Sequence, residues 1–137
     1  MPVLPSAIRT VNMDCADPEP MARFYGGLLG WEPTAVEPDW ILMRDPGGGT
    51  GLSFQQTAGY EPPTWPETPG KQQKQVHLEI PVIPGPGEYS EEDGTAALEE
   101  AVKIALSLGG SLAGEQYRDD LRVMLDPAGH PLCLFLM

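Results

Sequence analysis

Residues 40–48, Trp40-Ile41-Leu42-Met43-Arg44-Asp45-Pro46-Gly47-Gly48, and residues 121–129, Leu121-Arg122-Val123-Met124-Leu125-Asp126-Pro127-Ala128-Gly129, share one design. Each is an apolar-rich run that breaks at Asp-Pro and reaches a glycine two residues after the proline. Asp and Pro pre-set a turn and glycine supplies the positive φ that closes it. The two copies stand 81 residues apart, and the match continues outward. Leu29-Gly30 recurs as Leu108-Gly109, 79 residues on, and Thr10-Val11 as His77-Leu78, 67 residues on. The difference of 12 residues equals the segment Pro84 to Thr95, which therefore reads as an inserted loop. A repeat of this kind predicts two copies of one supersecondary unit.

Each copy carries one helical pattern. In the first, Asp17 is the expected N-cap, Pro18 suits the first helical position, and Met21, Phe24, Tyr25 and Leu28 recur at helical spacing as a buried stripe. Gly30 is the expected left-handed cap, while Gly26-Gly27 weakens the last turn by about 1 kcal/mol per glycine. In the second, Leu98, Ala101, Val102 and Ala105 form the stripe and Gly109-Gly110 ends it. Alternation and β-rich composition predict strands at about Ile8 to Cys15, Trp31 to Glu37, Trp40 to Arg44 and Gly51 to Gln56. In the second copy they are expected at about Gln75 to Val82, Ser111 to Gln116, Leu121 to Leu125 and Leu132 to Leu136. The order is βαβββ twice, an α+β fold. Residues 1–137 form one domain, with module one at about 6–56, a linker at about 57–74 and module two at about 75–137. The linker holds Pro62, Pro63, Pro66 and Pro69 and is a semi-rigid spacer. Trp65 in its middle either packs the linker down or closes over a ligand or partner subunit.

A chain of 137 residues suffices for one core, with 16 glycines and 16 prolines predicting many loops. Eight basic against 20 acidic residues give a net charge of -12, which repels nucleic-acid backbone and anionic lipid, so neither partner is expected. Apolar runs are too short for a membrane helix, and the first residues lack a signal peptide's basic and apolar regions, so a cytoplasmic protein is expected. Cys15 and Cys133 are then expected as free thiols. Gly-rich phosphate loops, GxSxG elbows, zinc spacings and HExxH are absent from the sequence, which removes support from hydrolase and nucleotide-binding readings.

Phe24-Tyr25 with Leu29-Gly30-Trp31, then Asp45-Pro46-Gly47-Gly48, His77-Leu78-Glu79-Ile80 and Asp126-Pro127-Ala128-Gly129-His130-Pro131, occur in order at module spacing. In this the chain resembles the vicinal-oxygen-chelate superfamily (glyoxalase, bleomycin-resistance protein, extradiol dioxygenase), and within it the glyoxalase-like domain subgroup. The resemblance implies two tandem modules forming a cupped, partly closed eight-stranded mixed sheet with the helices outside and the site within. By strand parity Val11, Met13 and Cys15 face the helix, leaving Thr10, Asn12 and Asp14 toward the cup. Leu78, Ile80 and Val82 take the helix side of the fifth strand, so His77 and Glu79 face inward. Ser53 and Gln55 line the cup from the fourth strand, and Cys133 and Phe135 from the eighth. Trp40, Arg44, Arg122 and Met124 are further candidates for its wall.

The resemblance also implies where a divalent metal would sit. Its four ligand positions fall on Thr10, on Ser53 or Gln55, on His77, and on Cys133, where the family's last strand commonly holds Glu. His77 and Gln55 are the best candidates, a threonine hydroxyl is a poor ligand and a thiol favours softer ions, so no metal site and no cofactor are expected. His77 tuned by Glu79 is a candidate base, against a solvated histidine on a polar face. Cys133 is expected to be a packed thiol, His130 a turn residue, and Glu91, Glu92 and Asp93 partners of a helix dipole rather than calcium ligands.

The expectation that follows is a small-molecule-binding protein of the glyoxalase/bleomycin-resistance type, its ligand held by Thr10, Asn12, Ser53, Gln55, His77, Glu79, Cys133 and Phe135. The alternative is a metal-dependent lyase, isomerase or dioxygenase of the same superfamily, and whether the chain is an enzyme stays open between them. The acidic surface suits a cationic ligand. Sheet edges that need covering predict a homodimer, with modules pairing either within or between chains.

Overall fold

The structure is a computed structural model and describes residues 3–137. Ten elements follow in order: β1 (Thr10–Cys15), α1 (Pro18–Leu29), β2 (Pro33–Glu37), β3 (Trp40–Met43), β4 (Gly51–Gln56), β5 (Leu78–Val82), α2 (Glu91–Ser107), β6 (Ser111–Leu112), β7 (Leu121–Leu125) and β8 (Pro131–Leu136). This is βαβββ twice. The eight strands divide into two four-stranded mixed sheets of identical topology, β1-β4-β3-β2 and β5-β8-β7-β6. In each, the first strand runs parallel to the fourth and the remaining pairs are antiparallel. The chain forms two compact units, Met1–Tyr60 and Glu61–Met137, so the proline-rich segment belongs from Glu61 onward to the second.

In the first unit the Asp17 side chain accepts from Glu19 N at 3.1 Å, and Gly30 closes α1 at φ 73°. Met21, Phe24 and Tyr25 are buried and Leu28 half-buried. Tyr25 stacks on Phe54 of β4 at 5.6 Å, which fixes the helix-facing side of the sheet. Phe54 is level with Met13 on one side and Ile41 on the other, so these share its face, while Ser53 and Gln55 point the opposite way. Gly26 has a packing reason. A Cβ there would lie 2.9 Å from the Trp31 carbonyl oxygen and 3.0 Å from the Met43 methyl.

The second unit repeats the plan with three departures. The helix begins at Glu91, inside the segment that the sequence marks as a loop, because Ser90 caps Asp93 N at 3.0 Å and three acidic residues follow at the positive end of the helix dipole. The sixth strand is only Ser111–Leu112. Beyond it the Gln116 side chain takes over the ladder's role, donating to the Ala113 and Val123 carbonyls at 3.0 and 2.9 Å and accepting from Val123 N at 2.8 Å. The fifth strand begins at Leu78, since Gln75 turns the chain at φ 54°. On the other side Leu98, Val102 and Ala105 of α2 are buried, with Leu132, Leu134 and Met124 at 0–1% exposure among the sheet residues. The repeated Asp turns are built alike: Asp45 accepts from Gly47 N and Gly49 N, and Asp126, 3% exposed, from Ala128 N and His130 N. The His130 backbone is thus part of its turn.

Candidate functional site

On the first sheet the surface turned away from α1 is polar along β1 and β4. Parallel pairing sets Thr10 beside Gly51, Asn12 beside Ser53 and Asp14 beside Gln55. Asn12 Nδ2 donates to Gln55 Oε1 at 2.8 Å, and Ser53 Oγ donates to Asn12 Oδ1 at 3.0 Å. Ser53 is 3% exposed, whereas Asn12 and Gln55 are open to solvent. The row is thus anchored at a buried hydroxyl and ends at exposed amides. Trp40 lies level with Gln55, and Leu42 with Ser53, which adds half-buried apolar surface beside the amides. Arg44 Nη1 is tied to the Arg9 carbonyl at 3.0 Å. Thr10 stands half-buried at the start of β1.

On the second sheet the corresponding surface is apolar along β7 and β8. Val123 is level with Cys133, and these two with Ala113 form a buried cluster against which Trp65, Leu121 and Leu125 pack. Cys133 is 8% exposed. Burial in this cluster pushes its thiol pKa up, and Glu79, level with it on β5, adds to the rise by repelling a thiolate. Phe135 is half-buried, opposite Leu121 on one side and Pro81 on the other. His77 and Glu79 are exposed, His77 one residue ahead of β5. The placement of Arg122 and Met124 in the cup wall is corrected by the register of β7. Since Val123 shares the face of Cys133, both neighbours take the side of α2, where Arg122 pairs with Glu99 at 3.1 Å and Met124 is fully buried.

At most of the positions where the resemblance implies metal ligands the donors are weak or already engaged, with His77 exposed one residue ahead of β5. The Gln55 oxygen already accepts from Asn12, the Ser53 hydroxyl is committed to the same partner, Thr10 offers a weak ligand, and a thiol with a raised pKa must lose its proton before it binds metal. Among the described residues no three His, Cys, Asp or Glu side chains group as a metal site. What the first sheet offers is amide donors and acceptors beside an indole and a leucine, an arrangement suited to an amphipathic molecule.

Sequence alone leaves Trp65 between two roles, and the structure packs it on the second sheet's cluster. Gln116, which builds the adjoining edge, is invisible to sequence reasoning, because a glutamine a few residues before a strand carries no signal for a ladder-replacing side chain. Among the described residues no helix is long and apolar enough to cross a membrane.

A family model described as a glyoxalase-like domain matches residues 10–135. No curated protein matches the chain in sequence. Among solved structures, a glyoxalase-related enzyme from Fulvimarina pelagi aligns with TM-score 0.66 at 16% identity, over 97% of this chain and 89% of that one. A glyoxalase/bleomycin resistance protein/dioxygenase family enzyme from Burkholderia phytofirmans aligns with TM-score 0.64 at 19% identity, over 96% and 98%. A mutant of the fosfomycin resistance protein FosX from Listeria monocytogenes, complexed with Mn(II) and a dihydroxypropylphosphonic acid, aligns with TM-score 0.66 at 11% identity, over 96% and 90%. At these identities the likeness is one of fold.

Proposed function

The chain belongs to the glyoxalase-like domain family, and from that premise we propose that it is a small-molecule-binding protein whose ligand is held by neutral amides and apolar surface rather than by a metal ion. The observation that carries this reading is the Ser53–Asn12–Gln55 row. Its oxygen atoms sit on the strand pair where the family resemblance puts metal ligands, yet each is engaged within the row. Such a row leaves the exposed Gln55 amide nitrogen to donate to a ligand at little cost, because its geometry is already fixed from the buried end. Trp40 and Leu42 supply apolar area, and the net charge of -12 favours a cationic or amphipathic molecule over an anion. The competing metal-dependent lyase, isomerase or dioxygenase needs Cys133 to ionise within an apolar cluster that raises its pKa.

A thermal-shift screen of metabolites and drugs tests the reading. Binders are expected to stabilise the protein by mass action, with the shift reduced in Asn12→Ala. A screen in which every shift is indifferent to Asn12→Ala and Gln55→Ala rejects it. The proposal includes a homodimer, since each four-stranded sheet ends in open edges and Val36 on edge strand β2 is 66% exposed. Sedimentation at the 14.8 kDa of one chain removes that part.

A further inference from the structure

The second sheet's surface around Cys133 holds an indole that belongs to the chain itself. The Trp65 ring packs on the Ala113, Val123 and Cys133 cluster, and its Nε1–H donates to the Glu115 carbonyl at 3.4 Å. Tyr117 meets it edge to face at 5.9 Å, and Lys74 Nζ stands 5.1 Å from the ring centroid. An apolar floor, an aromatic wall, a cation over the π-face and one acceptor for a ring N–H together define a receptor for a flat, electron-rich heteroaromatic.

The strap that carries this ring is otherwise lightly attached. All of residues 66–73 are exposed, and its polar contacts close largely on itself: Thr64 N donates to the Gln72 carbonyl at 3.1 Å, and Lys74 pairs with Glu67. At its start Pro62 lies against Gly129, where a Cβ would come within 3.0 Å. A segment with so few buried apolar contacts opens at a small fraction of the global unfolding free energy. We propose that this recess is a binding site for a planar aromatic ligand bearing an N–H donor, kept closed by Trp65, and that the ligand enters by displacing Trp65 while the strap stays hinged at Pro62. Its residues all belong to the second unit and those of the amide row to the first, so the variants that test the two proposals do not overlap.

Indole is the probe. Full-length Trp65→Ala is expected to melt roughly 5–10 °C below the parent protein, and millimolar indole to recover about half of that loss. Benzothiophene, of the same shape without the N–H, is expected to recover less. Cys133, identified by peptide mapping apart from Cys15, is expected to alkylate about tenfold faster in the variant and to be protected again by indole. In the unsubstituted protein indole is expected to speed tryptic cleavage at Lys71. Should Trp65→Ala not fold, Trp65→Leu carries the alkylation and indole measurements. Equal effects of indole on variant and parent, no protection of Cys133, or unchanged cleavage at Lys71 overturns the proposal.

Discussion

Asn12 on β1, level with Ser53 of β4, reaches diagonally across the parallel pair to Gln55 in an amide-to-amide hydrogen bond of 2.8 Å, and its own oxygen accepts from the buried Ser53 hydroxyl. Both amides are exposed, so their removal costs the fold little beyond the acceptor that Asn12 supplies to the Ser53 hydroxyl. Asn12→Ala and Gln55→Ala are each expected to cost about 0.5–1.5 kcal/mol by urea denaturation and to weaken the ligand found by screening at least about tenfold. The double variant is expected to bind little worse than either single one, since the residues act in one network. Fully additive losses in affinity would show that the row does not act as a unit.

Gly26 looks like a helix weakness that alanine should repair. Propensity alone favours Gly26→Ala by about 1 kcal/mol. The Trp31 carbonyl oxygen at 2.9 Å from the added carbon is backbone and cannot swing aside, so the variant is expected to lose about 1–3 kcal/mol instead. Chemical denaturation decides, and a stabilised variant would mean that the turn after α1 relaxes freely.

The raised pKa of Cys133 has a pH consequence. Its ordinary value is 9.0, and burial followed by the nearby Glu79 charge lifts it in the folded protein. Above the ordinary value the unfolded chain releases the proton first, so stability present below that pH is lost as pH rises through the folded value. Melting temperature is expected to fall on the alkaline side of about pH 9, and the fall to shrink in Cys133→Ala relative to the parent. An identical alkaline profile in the two proteins would remove Cys133 from the cause.

The modules are readable from sequence where local chemistry repeats. Asp45 and Asp126 announce the same turn because each carboxylate must satisfy backbone N–H groups of its own loop, and such bonding leaves its mark at fixed spacing. The helix stripes of Phe24-Tyr25 and Leu98-Val102 are readable for the same reason of period. What does not show is set by contacts distant in sequence. Trp65 reaches Glu115 over 50 residues, and Gln116 replaces strand pairing with its side chain, so β6 ends early. His77 falls outside β5 because Gln75 adopts a left-handed backbone that nothing in its residue type announces. For the candidate site, parity places Asn12, Ser53 and Gln55 on one surface, but only the register shows them bonded to each other.

The proposal that the ligand is held without a metal ion is tested in one step by elemental analysis. Protein purified without chelators and without a metal-binding tag is expected to carry well under one equivalent of Zn, Ni, Mn, Fe or Co, and added metal to leave its melting temperature nearly unchanged, since the Gln55 oxygen already accepts from Asn12 and burial holds the Cys133 thiol in its protonated form. Stoichiometric metal that disappears in His77→Ala together with stability or activity would contradict it and make the metalloenzyme the better reading.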